Sequence, residues 1–199
     1  MVPTREQLRQ ATRRRVVDTA GRLFQENGFA ATTIRDIAGA CGVSVGTVMA
    51  AGDKDSLLVQ VFDGLIAAEH TRRDPPAPVA GAGGSCADRV MELVRPFVTL
   101  FTGRLEPARA YASILVSGGH DSALFLSLAE RLVEEIRAAI TLHGCTPAGQ
   151  ARAVAEALHL AYVGSLFTWS ARSGADPSGL DAGLRGAFTT ICTCKEKSR

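Results

Sequence analysis

Residues 32–58, TTIRDIAGACGVSVGTVMAAGDKDSLL, place small side chains at one helix start and a lysine at the next. Ile34, Ile37, Ala38, Cys41, Val43 and Val48 can close into a small core, which leaves Ser44, Val45, Gly46 and Thr47 outward at a helix N-terminus. Such an end fits a major groove: the methyl groups of Val45 and Thr47 can meet thymine, and Gly46 admits close backbone approach. Lys54 follows Asp53 where free amides and the helix dipole already favour phosphate, and it adds a flexible charge. Two short helices with a tight turn between them form a helix-turn-helix, and the chemistry is recognition of duplex DNA.

The charge distribution agrees. Net charge is only +2, but residues 1–35 carry seven arginines against three acids, while residues 57–194 carry eleven arginines against thirteen acids. The positive field sits beside the motif. Arg13, Arg14 and Arg15 are ~100° apart in succession on a helix, so one or two of them meet phosphate and the others are solvated.

The elements that position these groups read as helical throughout, and the fold class is all-α. Thr4 with Gln7 and Thr33 with Asp36 have capping-box spacing, and Ser44 caps the third helix. The first helix keeps Leu8, Thr12, Val16, Ala20, Leu23 and Phe24 on one face and stops at Asn27-Gly28. A fourth helix starts at Asp53, runs to about Arg73, and presents a face broad enough for several neighbours. Residues 74–85, rich in proline and glycine, form a flexible connection. Four amphipathic helices are expected beyond it, the first over 86–103 with Phe101 inward and Pro96 as a kink or displaced start. Thr146 and Asp176 are expected caps before Pro147 and Pro177. In the last two helices, roughly 147–173 and 177–193, Leu180, Leu184, Phe188 and Ile191 form a stripe that can build a four-helix interface between two copies or an intrachain core.

A length of 199 residues with 46% apolar and 21% charged residues is a folded composition. No apolar run reaches membrane-spanning length and no signal-peptide core opens the chain, so a cytoplasmic protein is expected. Cys41, Cys86, Cys145, Cys192 and Cys194 show no zinc-ligand spacing with histidines. The Cys192-x-Cys194 pair could bind a soft metal or sense oxidation, but no metal site and no cofactor are expected.

Val16-x-x-x-Ala20, Leu23-Phe24, Asn27-Gly28-Phe29, Thr33-Ile34-x-Asp36-Ile37-Ala38, Gly42-Val43-Ser44, Gly46-Thr47-Val48 and Lys54-Asp55-x-Leu57-Leu58 resemble the tetracycline-repressor (TetR) family of bacterial regulators. The resemblance covers about residues 10–62. It implies a three-helix DNA-binding unit, 1–52, joined by a fourth helix to a helical ligand-binding and dimerisation domain, 53–199. It also places Arg35 within reach of base edges, where a guanidinium pairs with guanine O6 and N7. Two departures stand out: Met49 replaces the usual aromatic, and Ala50-Ala51-Gly52-Asp53 is small and one residue shorter than usual. The phosphate clamp then rests on Lys54, Thr33 and the arginine run, with Met49 free to pack inward.

The expected DNA contacts are Arg14, Thr33, Arg35, Ser44, Val45, Gly46, Thr47, Met49 and Lys54. The expected partners are double-stranded DNA, a second copy through the last two helices, and a small apolar effector near Phe101, Tyr111, His159 and Tyr162. The implied function is a repressor released from an inverted-repeat operator by that effector. The rivals are a helical adaptor without DNA affinity and a small enzyme using His120-Asp121 or Glu134-Glu135. Neighbouring residues diverge on a helix, and no nucleophile, metal or phosphate-loop motif supports catalysis.

Overall fold

The computed structural model describes residues 4–72, 84–118, 123–172, 176–192 and 194. Most of the expected linker at 74–85, together with His120 and Asp121, lies outside them. Among the described residues there are nine α-helices and no strand: α1 (Arg5–Asn27), α2 (Ile34–Cys41), α3 (Val45–Ala51), α4 (Lys54–Arg72), α5 (Cys86–Thr102), α6 (Leu105–Ser117), α7 (Ala123–His143), α8 (Ala151–Ser170) and α9 (Pro177–Ile191). Contacts divide the chain into two compact units, Met1–Leu65 with Arg104–Ser122, and Ile66–Gly103 with Ala123–Arg199.

The first unit is assembled by local caps. Thr4 and Thr33 each accept from the backbone amide three residues on, and Gln7 and Asp36 return the bond. Ser44 accepts from the Thr47 amide to start α3. Left-handed Gly42 ends α2 and donates to Ala38 and Gly39. Val16, Ala20, Leu23 and Phe24 of α1, Ile37 and Ala38 of α2, and Val48 of α3 are buried. Leu8 is 54% exposed, so the buried face of α1 begins later than its periodicity implies. In α4, Leu57, Leu58 and Phe62 are buried, and the Phe62 ring stacks on Tyr111 of α6 at 4.6 Å. That explains the breadth of the apolar face of α4.

Gly52 separates α3 from α4 at φ 151°, a backbone region that side chains disfavour. A Cβ there would also lie 2.9 Å from Cβ of Ser56 and 3.1 Å from Nε2 of Gln60. The compact connection therefore requires glycine.

The second unit packs α5 against α7 and α9, with α8 against α7 and α9. Val90, Leu93, Val94, Phe97 and Leu100 of α5 are buried, whereas Phe101 is only half-buried. Helix α5 continues through Pro96. Among the described residues five helices follow α4 instead of the expected four, because Gly118, at φ 69°, caps α6 before α7 begins. Thr146 does not cap α8: a 3-10 turn, Ala148–Gln150, intervenes and leaves that helix without a side-chain cap. Asp176 does cap α9, accepting from the Ser178 amide. Leu180, Leu184 and Phe188 are buried within the chain, so the stripe expected to serve either role belongs to the intrachain core.

Candidate nucleic-acid interface

Every expected contact residue on α3 or its cap is at the surface. Ser44, Val45 and Gly46 are exposed, Thr47 is half-buried beside the Ser44 hydroxyl at 2.9 Å, and Val45 is 44% exposed although apolar. The helix N-terminus therefore presents backbone and methyl groups outward, held by a cap that satisfies its own amide. Met49 is 49% exposed and does not pack inward. Val48, its neighbour on α3, is fully buried, and one residue further along the helix turns Met49 ~100° away from that core.

Thr33 and Arg35 are exposed at the start of α2. Oδ2 of Asp36 accepts from both the amide and the hydroxyl of Thr33, at 2.8 and 2.7 Å. The Thr33 hydroxyl, and then its amide, hold the Asp36 carboxyl below the usual range. Asp36 is thus committed to the cap, and Arg35 beside it is exposed.

The arginine run is sorted by tertiary contact. Arg13 donates from Nε and Nη2 to Oε1 of Gln60, at 3.0 and 2.8 Å, and Nε2 of Gln60 donates in turn to the Ala51 and Ser56 carbonyls. This ties α1 to the junction between α3 and α4. Arg14 is exposed.

Lys54 is half-buried and does more than project a charge. Its Nζ donates to the Ala30 carbonyl at 3.2 Å and lies 4.4 Å from the centroid of Phe29. The same turn is gripped from α6: the Glu106 carboxylate accepts from the amides of Phe29 and Ala30, at 2.6 and 3.0 Å. One short segment between α1 and α2 is therefore clamped by a cation from the start of α4 and an anion from α6. Sequence reasoning missed Glu106, since nothing within its own helix marks it.

The expected effector residues are divided between the two units, with Phe101, His159 and Tyr162 in the second. Tyr111 belongs to the first unit, where it is buried and donates to Oδ1 of Asp63 at 3.3 Å. His159 and Tyr162 lie on α8 with ring centroids 6.2 Å apart, and burial favours the neutral form of both, lowering the imidazole and raising the phenol. A cavity of about 480 Å³ in the first unit is lined by Asp18, Phe24, Gln60 and Arg104, and by none of the four expected residues. In the second unit, buried His70 sits against Phe97 and 3.3 Å from Oε1 of Glu135, which also accepts from Arg131.

The cysteines, read from the sequence as scattered, are partly brought together. Sγ of Cys145 lies 2.9 Å from that of Cys86 and 3.2 Å from that of Cys194. Burial raises the Cys86 thiol, and it pushes that of Cys192 up to about 12. For Cys145 burial acts in the same sense, but hydrogen bonding from Cys86, Cys194 and Thr146, with His143 alongside, brings it down to about 7.

With this geometry in place, comparison with known proteins is specific for the N-terminal helices. Residues 16–61 match the profile of the bacterial regulatory proteins, tetR family. This segment is similar to that family. The TetR-type architecture extends over nearly the whole chain: Thermus thermophilus FadR, a TetR-family repressor crystallised with lauroyl-CoA, superposes with a TM-score of 0.65 at 19% identity, over 94% of this chain and 97% of its own. A TetR regulator from Rhodococcus sp. RHA1 gives 0.61 at 18% identity, over 95% and 99%. The TetR-family regulator PfmR, also from Thermus thermophilus, gives 0.53 at 19% identity, over 99% and 100%. No curated protein matches the sequence. The match over residues 16–61 is to a family of bacterial regulatory proteins, and over the rest of the chain the solved structures share the fold. No single helix among the described residues is long and apolar enough to cross a membrane.

Proposed function

We propose that this TetR-type regulator is a repressor that binds an inverted-repeat operator as a homodimer and is released by a small apolar effector. The observation that carries the reading is the outward N-terminus of α3, where Ser44, Val45 and Gly46 are exposed on a capped helix. In the proposed complex this end enters the major groove with the methyl groups of Val45 and Thr47 towards thymine, Arg35 reads a base edge, and Thr33, Arg14, Lys54 and Met49 line the flanking backbone. With few hydrogen-bonding side chains at the groove, DNA shape contributes to selection.

Dimerisation is assigned to α8 and α9. Their buried stripes are used within the chain, so the second copy meets the outward faces. Leu160 is 68% exposed there, and Gly179, Gly183 and Gly186 leave open space where a Cβ would stand, allowing close approach of helices. Effector release acts through Glu106. Helix α6 is joined to the second unit by the chain at both ends, at residues 103 and 123, yet holds the turn between α1 and α2. A ligand that displaces either end of α6 changes the grip on that turn, and so selects between arrangements of the reading helices.

The experiment is selection of bound duplexes from a random library with the full chain, followed by salt titration on the enriched sequence. An inverted repeat with half-sites ~34–36 Å apart and a steep salt slope is expected. Arg35→Ala should relax one base position in each half-site at a cost of ~1–3 kcal/mol. Absence of enrichment at low salt would favour a helical adaptor, and equal weakening on all sequences by Arg35→Ala would remove its role as a reader.

A further inference from the structure

Three helix ends of the second unit converge on one group of soft ligands. Cys86 is the first residue of α5, His143 is the last of α7, Cys145 follows two residues later, and Cys194 lies beyond the end of α9. Between His143 and Cys145, Gly144 adopts φ 77°, which ends the helix and turns the chain back on itself. One ligand atom from each of the four residues lies within 4.8 Å of all the others. Nδ1 of His143 is buried and no hydrogen bond satisfies it, which is costly for a polar atom unless something else completes it. Cys86 is fully buried while the other three are part-exposed, so an ion has a route from water.

We propose that Cys86, His143, Cys145 and Cys194 bind one zinc ion in a closed, four-coordinate site. Three thiolates and one imidazole are a donor set for zinc, with no carboxylate or carbonyl oxygen of the kind magnesium and calcium require. Thiolates ~2.3 Å from a tetrahedral zinc stand ~3.8 Å apart, so separations of 2.9 and 3.2 Å need to open by less than an ångström. All four coordination positions come from the protein, which makes the ion a staple across the ends of α5, α7 and α9 and leaves no open position for a substrate. The ligands are drawn from three separate stretches of the chain, so the bound ion stabilises long-range closure of this unit.

The test is anaerobic titration of the reduced, chelator-treated full chain with cobalt(II), then displacement by zinc. Expected are the intense visible bands of tetrahedral thiolate coordination, saturation at one ion per chain, and a rise in Tm on zinc addition. Cys145→Ser and His143→Ala should each weaken binding by more than the ~10–100-fold typical of outer-shell changes, whereas Cys41→Ser and Cys192→Ser should leave it intact. Circular dichroism of each variant separates ligand loss from misfolding, and the milder His143→Ala serves if Cys145→Ser does not fold. The proposal is overturned by a weak octahedral spectrum, by stoichiometric binding that survives His143→Ala, or by a reduced chain that takes up no ion and instead cross-links Cys86 to Cys145 in air.

Discussion

Removing the Glu106 carboxylate tests how the first unit is held together. Glu106→Ala deletes an acceptor shared by the amides of Phe29 and Ala30, at 2.6 and 3.0 Å. Hydrogen bonds to a charged partner contribute ~1.5–3 kcal/mol each when sheltered. These bonds lie at the surface, so water recovers part of that interaction, and the pair together is expected to contribute about 1–2 kcal/mol. For a chain of this size that corresponds to a fall in Tm of ~2–4 °C per kcal/mol. Urea unfolding followed by far-UV circular dichroism should show a lower midpoint with an unchanged slope. Glu106→Gln, which keeps a neutral oxygen acceptor, should lose about half as much. Lys54 holds the carbonyl of the same turn. A double-mutant cycle of Glu106→Ala with Lys54→Met should therefore show a coupling of ~0.5 kcal/mol or more. Unchanged stability in Glu106→Ala, or strict additivity with Lys54→Met, would refute the clamp and with it the proposed route from α6 to the reading helices.

Gly52→Ala forces a side chain into a φ of 151° and against Cβ of Ser56, so a loss of ~1–3 kcal/mol is expected in the same unfolding assay, and a neutral result would mean the junction between α3 and α4 relaxes freely. Acid should also loosen the chain. Thr33, Ser85 and Ser178 hold the carboxyls of Asp36, Asp88 and Asp176 below their ordinary range. Their folded pKa values lie under the unfolded ones, so the stability they add is complete above about pH 4 and lost as pH falls below it. Asp36→Asn should flatten the fall in stability with pH in that range, and an unchanged slope would show that the Thr33 cap does not depend on the charge.

The caps and the helical periods were legible in the sequence because they are short-range. Thr4 with Gln7, Thr33 with Asp36, and Ser44 before α3 act over three residues, and their geometry follows from spacing alone. The same locality made the proposed DNA-reading helix visible, since its outward residues are those left over when Ile37, Ala38 and Val48 turn inward. Errors arose where a local signal was weak or misleading. Gly118 was lost within an amphipathic stretch, the inward alternative for Met49 had no local feature to exclude it, and the stripe on α9, read as building an interface between copies, is buried within the chain. Long-range pairing decided the rest. Which of Arg13 and Arg14 is held by Gln60, why Lys54 and Glu106 meet on one turn, and how Cys86, His143, Cys145 and Cys194 converge all depend on packing between helices distant in the chain. Periodicity tells a helix which face to bury, but only the packed structure selects the neighbour that face meets and the side chains carried to its ends.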